Sequence, residues 1–205
     1  MKKLMLLAAL CFLPGCVVSF HPFYADTSVV PLPELAGRWD HDDSSYERLE
    51  FAEGSEVTFF ESQIGKSAPP AGVRYKAVYF KVGDAVFSDV WPLESSSALN
   101  IPVHFMYRIR LQGDRLELTP MDYDWISQEI RTGRVTLPHI SRMLDDGNGG
   151  GPEEQILFTA TPAEWAQFLT QFKDEKELFS QADSETYIKS KAPHKSDQAP
   201  PGKVR

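Results

Sequence analysis

Arg108-Ile109-Arg110-Leu111-Gln112-Gly113-Asp114-Arg115-Leu116-Glu117-Leu118-Thr119 is the stretch that decides the fold. Glycine at the first central position of a two-residue connection suits a type II′ turn, whose twist matches the strands on either side. Counting outward from Gly113-Asp114 sets Leu111 against Leu116, Arg110 against Glu117 and Ile109 against Leu118. One face is apolar and the other carries an opposite-charge pair, the pattern of a half-solvated antiparallel hairpin. A slip of one residue would turn the leucines to water.

Gly83-Asp84 repeats the signal between Val73–Val82 and Ala85–Trp91, setting Phe80 against Phe87, with Val78 and Trp91 on the same face and Tyr75 and Tyr79 on the other. Working outward, Leu35-Ala36-Gly37-Arg38-Trp39 reads as the first strand. Glu47–Phe51 and Glu56–Phe60 follow across Glu53-Gly54, and Ile101–Gln112 and Arg115–Thr119 form the hairpin above. Residues 62–72, with Pro69-Pro70, read as a loop. Short alternating runs divided by turn residues predict one antiparallel β meander. After Pro120 the period becomes helical. Asp122 or Asp124 caps a short helix carrying Trp125, Ile126 and Ile130, and Val135–Leu144, interrupted by Pro138, reads as a second, weaker helix. Residues 145–152 read as a glycine-rich loop, and Ile156–Thr159 as the last strand. Thr161-Pro162-Ala163-Glu164 is a capping box with proline at the first helical position. Trp165, Phe168, Leu169 and Phe172 then form a single apolar stripe.

Lys2 and Lys3, the apolar Leu4–Leu13 and Gly15 before Cys16 have the layout of a secretory signal. The apolar run is too short to span the ~30 Å hydrocarbon layer. Its ending, Leu13-Pro14-Gly15-Cys16, resembles the lipobox of bacterial lipoproteins, which implies cleavage before Cys16 and a lipid on that cysteine. The alternative is an ordinary signal peptide cut elsewhere. On the lipobox reading residues 1–15 are lost. Residues 16–34, with Pro22, Pro31 and Pro33, form a tether, 35–188 the β domain, and 189–205 a disordered basic tail. The tether's His21-Pro22-Phe23-Tyr24 either docks on the domain or sits at the lipid headgroups, docking being preferred. The mature chain keeps 19 basic against 29 acidic side chains, since two of the 21 lysines and arginines leave with the signal. That balance disfavours nucleic acid or a broad anionic membrane surface as the main partner, because the long-range field repels both. With Cys11 removed and Cys16 acylated, no thiol remains for a disulfide, a metal or a nucleophile.

Gly37-Arg38-Trp39 on a first strand ahead of a meander resembles the lipocalins and the wider calycin group. There the tryptophan plugs the barrel floor and the interior often holds a small apolar ligand. The strand expected last, Ile156–Thr159, carries no arginine of the kind that packs over that tryptophan in lipocalins. The chain is also similar to a group of small bacterial lipoproteins, over most of residues 16–172. The matching pieces are His21-Pro22-Phe23-Tyr24, Leu35–Trp39, Pro102-Val103-His104-Phe105 and Arg108–Leu116. That resemblance implies an envelope lipoprotein and brings no established activity. Val17 after the cysteine implies delivery to the outer membrane, on its periplasmic face.

Little in the sequence points to catalysis. It has no G-x-S-x-G elbow, and Ser95-Ser96-Ser97 reads as loop. His41-Asp42-Asp43 reads as a solvated turn rather than a metal site, because adjacent residues seldom converge on one ion. Asp146–Gly151 fails the calcium-loop spacing. Asp122 and Asp124 read as caps rather than an acid–base pair. His104, inside a strand, is the one histidine to watch, with a structural hydrogen-bonded role preferred over a catalytic one.

Aromatics make up 12% of the chain. Aromatics on both faces of one sheet give a core on one side and something to cover or bind on the other. The expected fold is thus a mainly β domain, a calycin-like barrel or a strongly curved sheet, with short helices after Pro120 and a C-terminal helix. The expected function is that of a lipid-anchored envelope protein, without cofactor or metal. It binds a protein partner or a small apolar ligand through Trp39, Tyr75, Tyr79 and His104. The alternatives are a hydrolase-type enzyme centred on His104 and a purely structural lipoprotein.

Overall fold

The computed structural model describes residues 17–43, 47–52, 55–61, 72–93, 103–145 and 152–190. Their strands are β1 (Val18–Ser19), β2 (Gly37–His41), β3 (Glu47–Phe51), β4 (Glu56–Glu61), β5 (Val73–Val82), β6 (Ala85–Pro92), β7 (His104–Gln112), β8 (Arg115–Pro120), β9 (His139–Asp145), β10 (Pro152–Phe158) and β11 (Glu185–Lys189). The helices are α1 (Tyr123–Arg131) and α2 (Pro162–Phe172). The order β6-β5-β4-β3-β2-β11-β8-β7 returns to β6, so eight antiparallel strands close into a barrel. The first residues of β7 extend past β8 and pair with β1, which runs parallel to β10; among the described residues β9 forms the free edge of this flap.

Both deciding hairpins have the registers read from the sequence. Leu111 faces Leu116, Arg110 faces Glu117 and Ile109 faces Leu118, while Phe80 faces Phe87. Gly83 and Gly113 hold φ of 63° and 59°, the left-handed region that the first position of such a turn demands. Outside the barrel Arg110 reaches Glu117 at 3.1 Å.

Strand alternation divides the apolar side chains into two layers. Leu35, Trp39, Leu49, Val57, Ala77, Tyr79, Ile109, Leu116 and Tyr187 fill the barrel interior. Phe80, Phe87 and Met106 point outward from β5, β6 and β7. There they meet Trp165, Phe168, Leu169 and Phe172 of α2, together with Phe23 and Ile126. The α2 stripe therefore covers the outer face of the barrel and leaves the lumen to other side chains. Its start is the capping box read from the sequence, with Thr161 Oγ1 accepting from Glu164 N–H and the Glu164 carboxylate accepting from Thr161 N–H. Asp122 caps α1 by accepting from Trp125 N–H at 2.6 Å.

Several expectations are corrected. Val135–Leu144 is not a helix: residues 135–138 form neither helix nor strand, and β9 follows, paired with β10 along its length. Pro138 removes the donor that a helix needs there, and Thr159 N–H instead bonds Pro138 O. The strand at Ile156 begins at Pro152 and is not the last. The last is β11, which pairs with β8 on one side and β2 on the other and so closes the barrel. Lys189, assigned above to the tail, ends that strand. The first barrel strand starts at Gly37, with Leu35 in a 3-10 turn over Pro33–Leu35. The tether docks on the domain, as preferred above for its aromatics, and does so from Val17 onward: Val17 and Phe23 are buried, Val18 and Ser19 pair with β7 and β10, and Val29 bridges Phe80. The signal segment, Ser95-Ser96-Ser97, Glu53-Gly54, the loop over 62–71, the glycine-rich loop over 146–151 and residues 191–205 lie outside the described residues.

Candidate ligand-binding barrel and a buried histidine–aspartate pair

In an antiparallel meander the strand ends alternate, so the hairpins at Gly83 and Gly113 and the start of β2 share one end of the barrel. That end is sealed. The Pro33–Leu35 turn puts buried Leu35 beneath Trp39, whose Nε1–H donates to Leu35 O at 2.7 Å. Gly37 makes the chain's change of direction with φ of 115°, a backbone conformation that side chains with a Cβ rarely adopt. Lys189 of β11 lies over the Trp39 ring with Nζ 5.2 Å from its centre, a cation–π arrangement. The same ammonium donates to Glu34 O at 2.6 Å, and Lys189 N–H donates to Asp114 O. One cation thus ties the floor tryptophan, the incoming turn and the last strand together. Ile156–Thr159 carries no arginine, and the residue over the tryptophan is a lysine on β11.

Above the floor the interior is apolar, with Leu49, Val57, Ala77, Ile109 and Leu116 buried. Tyr79, buried, and Tyr75, half-buried, project into the same layer as Trp39. Removal from water pushes the Tyr79 hydroxyl far above its usual pKa. Toward the opposite end, where β2 finishes and β3 and β11 begin, the lumen becomes polar. Tyr187 Oη donates to Glu185 Oε2 at 2.7 Å, and its ring stands edge-on to His41 at 5.1 Å. Burial raises the Tyr187 pKa most, and the nearby Glu185 carboxylate, then Glu47 and Tyr107, add to it. His41 Nδ1 accepts Asp43 N–H at 3.2 Å while Asp42 takes Arg115, so these three residues serve the turn at this end. Eight strands enclose a space that side chains just fill or that holds one small ligand.

His104 does not join Trp39, Tyr75 and Tyr79. It sits at the start of β7 on the outward face, with its ring 4.9 Å from Trp91. His104 Nδ1 is 2.7 Å from Asp89 Oδ1 on neighbouring β6. Asp89 is fully buried, and its Oδ2 accepts Phe23 N–H at 2.9 Å. Burial is the largest influence and holds this carboxyl above the usual carboxylate range, against the opposing pull of His104 and the Phe23 amide. Beside it, Ser19 Oγ donates to His21 O at 2.8 Å and accepts Trp165 Nε1–H at 3.2 Å. Phe23 packs at 4.6 Å on Trp165. Two buried polar groups, one from each side, therefore hold the backbone of residues 19–23 against the barrel and α2. The pair's geometry is that of a positioned imidazole: one carboxylate oxygen meets the His104 ring and the other holds the Phe23 amide.

The sequence reading missed Asp89, Glu185, Tyr187 and Lys189. Asp89 left a usable signal, a carboxylate in step with Phe87 and Trp91 on an otherwise aromatic strand face. The others left none, because their short strand is flanked by polar residues and its pairing is wholly long-range. Among the described residues no cluster of histidine and carboxylate side chains has the spacing of a metal site. No family model, curated protein or solved structure matches the chain.

Proposed function

We propose that this chain is a lipid-anchored bacterial envelope protein whose barrel binds one small, largely apolar ligand without chemical change. The observation that carries the reading is the graded barrel interior. It is sealed at one end by Leu35, Trp39 and Lys189, apolar midway, and polar at the other end around Tyr187 and Glu185. That gradient suits a molecule with an apolar body and a hydrogen-bonding end. Trp39, Tyr75 and Tyr79 are the proposed contacts for the apolar body. The anchor rests on the Leu13–Cys16 sequence, and the outer membrane on Val17.

A hydrolase centred on His104 is the less favoured reading. The buried Asp89 that orients this imidazole also binds the Phe23 amide, which supports a part in anchoring the N-terminal segment. Native mass spectrometry of a secreted Cys16→Ser protein, purified gently from its own host envelope, tests the ligand reading. A reproducible extra mass released on denaturation is the expected result. A bare monomer mass in every preparation would reject the ligand and send the search to cross-linked protein partners.

A further inference from the structure

We propose that the free edge strand β9 is a membrane-docking edge, which seats Ile140 and Met143 at the headgroup–acyl boundary of the bilayer that holds the lipid on Cys16. The inference rests on the anchor reading above and adds an orientation to it.

Chain geometry comes first. Val17 is buried and Val18 is already paired in the flap, so almost no slack separates residue 16 from the folded domain. Consecutive Cα atoms lie 3.8 Å apart, so the Cα of residue 16 is within about 8 Å of that of Val18. Val18 pairs with Leu157 and Leu157 with Ile140. At about 4.8 Å per strand, Ile140 is about 10 Å from Val18, hence within about 18 Å of the anchoring residue. An acyl group on Cys16 therefore holds β9 close to the membrane surface. Ile188 is placed very differently. It pairs with Arg115 opposite Gln112, seven residues along β7 from the Phe105 that pairs with Val18, about 24 Å at 3.4 Å per residue.

The chemistry of the edge agrees. Among the described residues β9 ends the strand order and has no second partner. Ile140 and Met143 are 57% and 60% exposed, the two most exposed large apolar side chains among the described residues. Their spacing puts one on each face of the strand. A partner sheet or groove covers one face; a lipid surface met edge-on receives both. His139 and Arg142, also exposed, lie among them and suit phosphate headgroups. The headgroup layer, unlike hydrocarbon, leaves water for the unpaired N–H and C=O groups of the edge.

Pairing of β9 with a second copy fits less well. A two-fold antiparallel register centred on Arg142 sets two like charges directly opposite each other. Centring on Ser141 sets Ile140 against Arg142, and centring on Ile140 confines the pairing to Pro138–Arg142, with no N–H at Pro138 and Met143 left outside it.

The test uses the acylated protein made in its host, carrying one added cysteine at Ile140→Cys, Met143→Cys or Ile188→Cys. The thioether on Cys16 leaves the added thiol as the sole labelling site for an environment-sensitive dye. All three positions are exposed, so the substitutions leave the fold intact. On reconstitution into phosphatidylethanolamine–phosphatidylglycerol vesicles, dyes at 140 and 143 are expected to shift to shorter wavelength and to be quenched by lipid-borne nitroxides, and the dye at 188 to do neither. Intact-mass measurement on the same samples separates the two layers of the argument. A chain without lipid on Cys16 refutes the anchor and the docking edge with it. An acylated chain whose dyes at 140 and 143 stay as aqueous as at 188 leaves the anchor standing and overturns the docking edge. A concentration-dependent shift in unacylated Cys16→Ser protein without vesicles assigns the edge to a second copy, and also overturns it.

Discussion

Replacing Asp89 tests the account of how the N-terminal segment is held. Asp89 is fully buried and accepts two hydrogen bonds, from His104 Nδ1–H at 2.7 Å and from Phe23 N–H at 2.9 Å. Asp89→Ala leaves both donors buried without an acceptor. Each orphaned donor costs about 1–3 kcal/mol, so the loss is roughly 2–6 kcal/mol, a large part of the ~5–15 kcal/mol that holds a typical domain together. A loss of about 4 kcal/mol lowers Tm by roughly 8–16 °C in a chain of this size. Asp89→Asn behaves differently. Its carbonyl still accepts Phe23 N–H, and its amide donates to His104 Nδ1 once the imidazole proton moves to Nε2. The cost is then about 1 kcal/mol or less. Urea unfolding of the Cys16→Ser chain and its two variants measures these differences. An alanine variant within about 1 kcal/mol of the parent, or alanine and asparagine variants of equal stability, would refute the reasoning.

The same residue carries a pH dependence. Burial raises the folded-state pKa of Asp89 above its ordinary value of 3.8. The native chain then binds that proton more tightly than the unfolded chain does. The stabilising contribution is complete below pH 3.8 and fades as pH rises through the folded pKa. The stability difference between parent and D89N should therefore shrink with rising pH over that window. A difference that grows contradicts the assignment.

Three further outcomes follow from the barrel and its cover. Trp39→Phe removes the bond to Leu35 O and weakens the contact with Lys189; a loss of about 1–2 kcal/mol is expected in the same assay. Trp39→Ala is expected to cost about 3–5 kcal/mol. Thr161→Ala removes the hydroxyl that accepts Glu164 N–H and leaves the Glu164 carboxylate on the backbone N–H of residue 161, with a loss of about 1 kcal/mol by urea titration. Ending the chain at Ser184 deletes β11 and leaves the facing edges of β8 and β2 unpaired. That protein should lose cooperative unfolding and bind a hydrophobic dye, whereas one ending at Ser190 should unfold as the parent does. A cooperative transition in the shorter chain would show that the barrel closes without β11.

Much of this molecule was legible along the chain because the signals are local. Glycine–aspartate turns set the two long hairpins residue by residue, since a turn of fixed length permits one register that buries Leu111, Leu116, Ile109 and Leu118 together. Thr161, Pro162 and Glu164 announce α2 because a helix end needs its N–H groups satisfied within a few residues. The aromatic pattern of β5 and β6 gave the two faces, and the helical stripe matched one of them. Closure was not legible. It depends on β11, five residues whose strand exists only because β8 and β2 both offer free backbone donors and acceptors, more than sixty and more than a hundred residues away. Val135–Leu144 misled for the opposite reason. Its local pattern admits a helix, but Pro138 and a long-range partner in β10 decide for a strand. Tertiary structure alone revealed that His104 belongs to the anchoring of residues 19–23 and not to the lumen with Trp39, Tyr75 and Tyr79. It also revealed that Lys189 lies over the floor tryptophan. Alternation within a strand says which side chains share a face, but only the closed ring of strands determines which face is inside.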